Sequence, residues 1–214
     1  MNQSKHLNKV IKQNAVPGPL LPNAYQQVEW LQSKHNQYWS GSNMMRIFTG
    51  VNYFADFEID TQLTENIGLC AFCGMRNTYN GLVLLNSNNS RYYACYNTSS
   101  DYYLTNIPWT ERAKICWKNN QVFVNDSYAS DFTKVNVTET GSNQGLVLFG
   151  SSSAFRSIRI WGFKAWDTNG DLLRNYIPCY RKSDNTPGLY DLVTKTFNAG
   201  AGTSGYFIVG NDVL

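Results

Sequence analysis

The chain has 214 residues, with 18 Lys and Arg against 15 Asp and Glu, and therefore a formal net charge of +3. Lys5, Lys9 and Lys12 carry this excess, because the first 14 residues contain no acid and the remaining body is charge-balanced. A balanced body argues against nucleic-acid binding, and the sequence has no apolar run of the ~18 residues that a transmembrane helix needs.

Neutral polar and aromatic residues dominate the composition. Only 15% of the residues are charged, below the usual ~25%, whereas the sequence contains 25 Asn, 14 Tyr and 6 Trp. A hydrophobic content of 43% is enough to build a core. These values favour a folded, β-rich protein whose surface relies on hydrogen bonding and aromatic stacking.

Residues 1–23 are predicted to form an N-terminal anchoring extension. Ser4 is a suitable cap for a short helix, which Pro17–Gly18–Pro19 would end. A helix of about ten residues is marginal in water on its own, so we expect it to dock on a partner, with a frayed terminus as the alternative. The predicted docking residues are its lysines and its aliphatic stripe: Lys5, Leu7, Lys9, Val10, Ile11 and Lys12.

From residue 24 onward the hydrophobic pattern has the period of two that is typical of strands. Apolar and polar residues alternate in Ala55–Asp60 and again in Ala113–Lys118, after which Asn119–Asn120 predicts a two-residue turn. Further strands are predicted at Tyr25–Leu31, Gly81–Leu85, Arg91–Tyr96, Gly145–Phe149, Ser157–Trp166, Leu172–Ile177 and Tyr206–Val209. Many short strands with frequent turns predict one antiparallel sandwich or barrel domain over residues 24–214.

Several stretches carry a resemblance to a known family. They resemble the concanavalin-A-like (laminin-G-like) jelly-roll domains of gut bacteria and of the tailed phages that infect them, and comprise Leu21–Leu31, Phe72–Arg76, Leu173–Asp184, Gly188–Asp191 and Phe197–Gly200. The resemblance covers roughly residues 21–210 and implies an antiparallel jelly-roll β-sandwich. This fold hosts lectins, glucanases and structural modules, so it does not select among these functions.

Two prolines in the C-terminal stretch predict local features of the fold. Pro178 follows an apolar strand, which favours a position on a sheet edge or at a strand end. Pro187–Gly188 has the composition of a type II turn. We interpret both as folding signals and not as parts of a functional site.

One strand resembles half of a glucanase active site. Glu58–Ile59–Asp60 is similar to the start of that family's acidic motif, and a retaining mechanism needs a second carboxylate ~5–5.5 Å away. The positions where it should lie hold Gln62 and Leu63. The sequence therefore predicts no catalytic residue, with Asp56, Glu58 and Asp60 on the solvated face of a strand. A glycoside hydrolase with a degenerate motif remains the third functional hypothesis.

The segment Asp167–Asp171 offers oxygen atoms at alternating positions, as a calcium loop does. It lacks the distal glutamate of an EF-hand and also suits a polar hairpin turn. We expect no cofactor and no metal site, with calcium in this loop as the alternative.

Aromatic residues in loops and strands suggest carbohydrate binding. Aromatic rings stack on the apolar faces of sugars, while polar side chains bind the hydroxyl groups. The predicted carbohydrate-binding residues are Arg76, Tyr79, Tyr92, Tyr102 and Trp109. The same rings also suit packing within the sandwich or at a subunit interface, and the sequence leaves both interpretations open.

These observations lead to one functional expectation and one rival. We expect a non-enzymatic virion structural protein of a tailed phage, either a capsid decoration, a fibre or a tail component, assembled in the host cytoplasm. It would contact other virion proteins through its extension, form a homo-oligomer, and display a lectin-like sandwich to host or mucus glycans. The alternative is a carbohydrate-binding lectin or adhesin module on a bacterial surface.

Overall fold

A computed structural model of the chain describes residues 20–34, 45–46, 56–64, 70–74, 81–86, 91–95, 102–108, 110–119, 121–131, 147–151, 154–155, 157–167, 169–199 and 207–214. Over these ranges the secondary structure consists of strands and turns, and the sheets are antiparallel. This confirms the predicted all-β class. No helix in these ranges has the length and apolarity that crossing a membrane requires.

Nineteen strands lie within the described ranges. Those of the first half of the chain are β1 (Tyr25–Gln27), β2 (Leu31–Ser33), β3 (Met45–Arg46), β4 (Asp56–Leu63), β5 (Cys70–Gly74), β6 (Gly81–Asn86), β7 (Arg91–Cys95) and β8 (Tyr102–Pro108). Those of the second half are β9 (Ala113–Lys118), β10 (Gln121–Val124), β11 (Ser127–Asp131), β12 (Val147–Leu148), β13 (Gly150–Ser151), β14 (Ala154–Phe155), β15 (Ile158–Trp166), β16 (Leu172–Arg181), β17 (Thr186–Asp191), β18 (Thr196–Ala199) and β19 (Phe207–Val209).

The strands form one large sheet, one smaller sheet and a short pair. The large sheet has 11 strands and a main path β11-β10-β9-β4-β15-β16-β17-β18. Beside this path, β1 pairs with β16, β2 pairs with β15, and β19 pairs with β2. The second sheet has six strands in the order β3-β12-β5-β6-β7-β8, and β13 pairs with β14. The large sheet is open, because no described pairing joins its ends β11 and β18. This architecture is consistent with a β-sandwich, and the jelly-roll connectivity stays a prediction.

One face of the large sheet forms the main hydrophobic core. Ile59 in β4 and Ile115 and Trp117 in β9 are fully buried there. Leu148 in β12, which belongs to the six-stranded sheet, is part of the same cluster, and Ile107 in β8 packs against it. The two sheets therefore share a core. We call the opposite side of the large sheet its outer face.

The apolar residues that alternate along β4 and β9 are buried on one face of the sheet, as the sequence predicts. In both strands buried residues alternate with half-buried ones. Lys118 pairs with Gln121, and Asn119 has a φ of 52°, so the predicted two-residue turn between β9 and β10 is confirmed. One prediction for this strand is wrong: Asp56 is only 5% exposed, and its carboxylate accepts hydrogen bonds from the Asn119 backbone N–H instead of facing solvent.

The predicted strand Tyr25–Leu31 is divided in two. β1 ends at Gln27 and β2 begins at Leu31 because the segment changes partners. β1 pairs with β16, then Glu29 N–H bonds to the Asn211 carbonyl, and β2 pairs with β15 and β19. The break places Trp30 immediately before β2, which lies between β15 and β19. Gly210, just after β19, donates its N–H to the Trp30 carbonyl.

The sequence predicted that Pro178 lies on a sheet edge or at a strand end, and this prediction is wrong. It lies inside β16, opposite Leu189 of β17. On its other side β16 changes partner: residues up to Tyr176 pair with β15, and residues from Cys179 onward pair with β1. A residue without an N–H group is tolerated at this gap between two ladders.

The predicted turn at Pro187–Gly188 is also wrong. Both residues lie in β17, and the turn comes earlier, at residues 182–185, where Asn185 has a φ of 54°. Gly188 is needed for packing, because a β-carbon there would lie 2.5 Å from the Asn198 carbonyl oxygen and 2.6 Å from the Phe197 ring. A close approach of two strands, not a turn, accounts for this glycine.

A second, smaller cluster covers the outer face near β16–β18. Successive strand residues alternate between faces, so Leu189 belongs to the main core while Tyr190 belongs to the second cluster with Leu21 and Cys179. Leu21, 7% exposed, thus packs against the sandwich. The predicted docking residues of the extension, Lys5, Leu7, Lys9, Val10, Ile11 and Lys12, lie outside the described residues.

Candidate functional site

Two of the residues that the sequence suggested for carbohydrate binding lie within the described ranges. Tyr92 lies on β7 and Tyr102 on β8, both in the six-stranded sheet. Arg76, Tyr79 and Trp109, the other three members of that set, lie outside the described residues.

A different cluster of aromatic and hydrogen-bonding side chains lies on the outer face of the large sheet. In β15, the buried residues Ile158 and Ile160 alternate with half-buried Arg159 and Trp161. The pairing of β15 with β4 is irregular at Trp161, which has no partner of its own in β4 and forms a bulge. Arg159 and Trp161 therefore both lie on the face opposite the core.

Trp30 holds the Arg159 guanidinium from one side. The Arg159 Cζ atom lies 4.0 Å from the centroid of the Trp30 ring, which is a stacked cation–π geometry. The indole in turn packs against Gly210, where a β-carbon would lie 2.7 Å from Trp30 Nε1. The C-terminal segment supports this contact, because Gly210 N–H bonds to the Trp30 carbonyl at 2.9 Å.

Trp161 continues the arrangement toward β9. Its ring centroid lies 5.8 Å from the Arg159 Cζ atom and 4.4 Å from that of Arg112. Arg112 also forms a bidentate ion pair with Asp60, through Nε at 2.7 Å and Nη2 at 2.6 Å. This hydrogen bonding with Asp60 raises the pKa of Arg112. We call the series Trp30, Arg159, Trp161 and Arg112 the tryptophan–arginine stack.

A polar network fixes the orientation of Arg159 from the side of β2. Arg159 Nε and Nη2 both donate to Gln32 Oε1, at 3.1 and 2.8 Å. Gln32 Nε2 lies 3.3 Å from the hydroxyl oxygens of both Thr64 and Ser157, which are 2.6 Å from each other. These contacts fix the orientation of the amide and of the guanidinium.

The carboxylates of the glucanase-like segment are held in ion pairs. Glu58 Oε1 accepts from Lys164 Nζ at 2.9 Å, and Asp60 binds Arg112. Gln62, where a second catalytic carboxylate should lie, donates to the Thr110 carbonyl. On this strand the acids thus act as ion-pair acceptors within the outer face.

The segment Asp167–Asp171 forms a closed turn. Asp167 Oδ1 accepts from the backbone N–H groups of Asn169 and Asp171, at 2.8 and 2.9 Å. Asp167 N–H bonds to the Asp171 carbonyl. These bonds stabilise a polar hairpin turn between β15 and β16. Among the described residues, no group of three His, Cys, Asp or Glu side chains is placed to hold a metal ion.

The stack was not among the residues that the sequence analysis selected. A partial signal was present, because the outward positions of the predicted strand Ser157–Trp166 include both Arg159 and Trp161. Their proximity to Trp30 and Arg112 depends on the pairing of β15 with β2 and β4, which the sequence does not reveal. Alternation alone could have indicated the face but not the stack.

No protein-family model, curated protein or solved structure that was compared with this chain matches it. The resemblance of residues 21–210 to concanavalin-A-like domains therefore stays a prediction.

Proposed function

We propose that the outer face of the large sheet binds glycans and that the chain is a non-enzymatic virion protein that displays this face. The observation that carries the first part is the tryptophan–arginine stack. The second part rests on the family resemblance of the sequence.

The stack supports glycan binding by its chemistry and its rigidity. Indole rings offer apolar surface to the C–H groups of a sugar, and guanidinium, amide and carboxylate groups bind hydroxyls. Trp161, Arg112 and Asp60 provide these groups within a few ångströms of one another. Because Gln32 and Gly210 already hold the stack in place, a ligand would lose little affinity to side-chain ordering.

The ion pairs on β4 favour binding over hydrolysis. A retaining glycosidase needs one carboxylate as nucleophile and a second as acid and base. Glu58 and Asp60 are each bound to a cation, and position 62 carries an amide. This arrangement supports a lectin-like role for the strand.

The proposed partners are other virion proteins, contacted through the extension. The lysines and aliphatic residues of that segment are suited to docking, and a homo-oligomer would present several outer faces, so that weak sites add up through avidity. We expect deletion of residues 1–20 to abolish incorporation into particles while the thermal melting temperature of the protein changes little. Normal incorporation of the truncated chain would contradict the anchor.

A glycan array probed with the full-length protein tests the binding function. We expect the wild type to bind a defined class of glycans and Trp161→Ala to bind it at least about fivefold more weakly, since a stacked aromatic contributes on the order of 1 kcal/mol or more. Tyr128→Ala is the matched control, because Tyr128 is an aromatic residue, 57% exposed, on the edge strand β11.

Three strands separate β11 from β15, so the control leaves the stack intact. Circular dichroism melting curves would show that both variants are folded. The proposal fails if the wild type binds no glycan, or if Trp161→Ala and Tyr128→Ala lose affinity equally. Binding by a chain that is absent from purified particles would favour the bacterial adhesin alternative.

A further inference from the structure

Arg159 differs from three neighbouring cations of the outer face in its hydrogen-bond partner. Arg112 pairs with Asp60, Lys164 with Glu58, and Lys114 with Asp126. In the part of the chain that the structure describes, the hydrogen bonds of Arg159 go to the neutral Gln32. Among these residues, no ion pair neutralises the Arg159 guanidinium.

The donors that Arg159 leaves free have a specific geometry. A guanidinium has five N–H donors, and Gln32 Oε1 occupies only those of Nε and one of Nη2. The remaining N–H groups, on Nη1 and Nη2, form the fork at the tip of the side chain. Two parallel donors of this kind match the two oxygens of a carboxylate.

None of the hydrogen bonds of Arg159 to described residues uses this fork. Trp30 and Trp161 flank the guanidinium, and desolvation by burial lowers the pKa of Arg159. Asp60, on the neighbouring strand β4, is bound to Arg112, and Glu29 Oε2 accepts a hydrogen bond from the Asn211 side chain. A ligand carboxylate at Arg159 would therefore meet the guanidinium, while Arg112 already balances the charge of Asp60.

We infer that the outer face selects acidic saccharides, with the carboxylate of a uronic or sialic acid bound to the Arg159 fork. The sugar ring would lie against Trp161, and its hydroxyls would reach the groups around Asp60 and Gln62. This inference rests on the proposed glycan-binding function and names its ligand class. Selection comes from charge and from the planar match of fork and carboxylate.

Calorimetric titration of the full-length protein with paired saccharides tests the inference. The pairs are trigalacturonate with its methyl ester, 3′-sialyllactose with lactose, and hyaluronan tetrasaccharide with chitotetraose. We expect the acidic member of at least one pair to bind about tenfold or more tightly than its neutral counterpart. The preference should shrink in 1 M NaCl, because the Debye length falls from about 10 Å at 0.1 M to about 3 Å.

Three variants separate charge, geometry and folding. Arg159→Gln should remove the preference for the acidic member, and Arg159→Lys should retain only part of it because an ammonium lacks the fork. Arg181→Gln is the matched control: Arg181 lies over the Phe197 ring at 5.6 Å but is paired with Asp184, away from the stack. It should keep the wild-type preference.

The results distinguish this inference from the function on which it rests. If neutral members bind as tightly as acidic ones, or if Arg159→Gln keeps the preference, the acidic-saccharide inference is wrong while glycan binding stands. If no member of any pair binds, and the glycan array is also negative, both are wrong. Loss of the preference in Arg181→Gln as well would mean that general charge, not the fork, determines binding.

Discussion

At two positions of this protein an aromatic ring lies so close to the backbone that only glycine fits without a shift. Gly210 contacts Trp30, and Gly188 contacts Phe197 and the Asn198 carbonyl. Gly162 is different, since a β-carbon there would lie 3.6 Å from the Tyr176 carbonyl oxygen, an ordinary contact. Sequence alone does not distinguish these cases, because the contacts come from residues distant along the chain or across a strand pair.

Gly188→Ala is therefore expected to destabilise the protein. The added methyl group must displace backbone and ring atoms between β17 and β18, an overpacking that typically costs about 1–3 kcal/mol. Urea denaturation should show this loss in the free energy of unfolding. Gly162→Ala provides the matched control and should cost less than about 1 kcal/mol. Equal losses in the two variants would mean that close approach does not explain Gly188.

Only some residues of the candidate site could be predicted from the local sequence. Strand alternation places Arg159 and Trp161 on one side of β15, and that much follows from local sequence. The stacking partner Trp30 comes from a segment more than 120 residues earlier, and its ring is held by Gly210. The predicted carbohydrate-binding residues came instead from aromatic residues in loops and at consecutive strand positions, a pattern that does not show which of them lie on one surface.

The elements were predictable where their pattern is local. β4 and β9 alternate strictly, and the turn at Asn119 follows from the tolerance of asparagine for positive φ. β17 was missed because Pro187–Gly188 is a strong turn signal when taken alone. In the structure, pairing with β16 and β18 overrides that signal, and the chain turns instead at residues 182–185 and 192–195.

In the turn between β17 and β18, replacing Lys195 by glycine should increase the free energy of unfolding. Lys195 has a φ of 58°, a left-handed conformation that costs a side-chain-bearing residue about 1–2 kcal/mol. Lys195→Gly removes this cost but adds about 0.4–1 kcal/mol of chain entropy to the unfolded state. We expect a net gain of about 0.5 kcal/mol in urea denaturation.

Lys182→Gly in the neighbouring turn is the comparison. Lys182 is exposed and is not among the residues with positive φ. Its replacement by glycine should therefore only add freedom to the unfolded chain and lower the free energy of unfolding. A Lys195→Gly protein that is less stable than the wild type would contradict the left-handed assignment.

At the scale of the whole molecule, two sheets share one core and the large sheet leaves part of its outer face to solvent. Leu148 of the smaller sheet packs with Ile59 and Ile115 of the larger one. The second cluster around Tyr190 covers one end of the outer face, and the tryptophan–arginine stack occupies another part of it. The fold thereby presents a polar and aromatic surface on this side of the large sheet.

Folding also suppresses the ionisation of two thiols, which makes stability depend on pH. Burial raises the pKa of Cys179 to about 12 and that of Cys116 to about 11, against about 8.5 in an unfolded chain. Below about pH 8.5 both states carry neutral thiols and this contribution is fully present. Above that pH the unfolded chain loses protons first, so stability falls as the pH rises toward 11–12.

Urea denaturation at pH 7, 8, 9 and 10 should show a free energy of unfolding that declines above pH 8.5. Cys116→Ala removes one of the two thiols and should make the decline shallower. Cys116 is half-buried on the outer face, so the substitution leaves the main core in place. Profiles of wild type and variant that run parallel above pH 8.5 would show that Cys116 does not titrate on unfolding.

We propose that glycans bind at the tryptophan–arginine stack, and NMR of the indole N–H groups would report binding at each tryptophan separately. The full-length protein, labelled with ¹⁵N, would be titrated with the tightest-binding saccharide of the glycan array. We predict that the indole signals of Trp30 and Trp161 shift while that of Trp117, fully buried in the core, stays in place. If the Trp30 and Trp161 signals stay unchanged while the Trp109 signal shifts, glycans do not bind at the stack. That result would favour the carbohydrate-binding residues predicted from the sequence, which include Trp109.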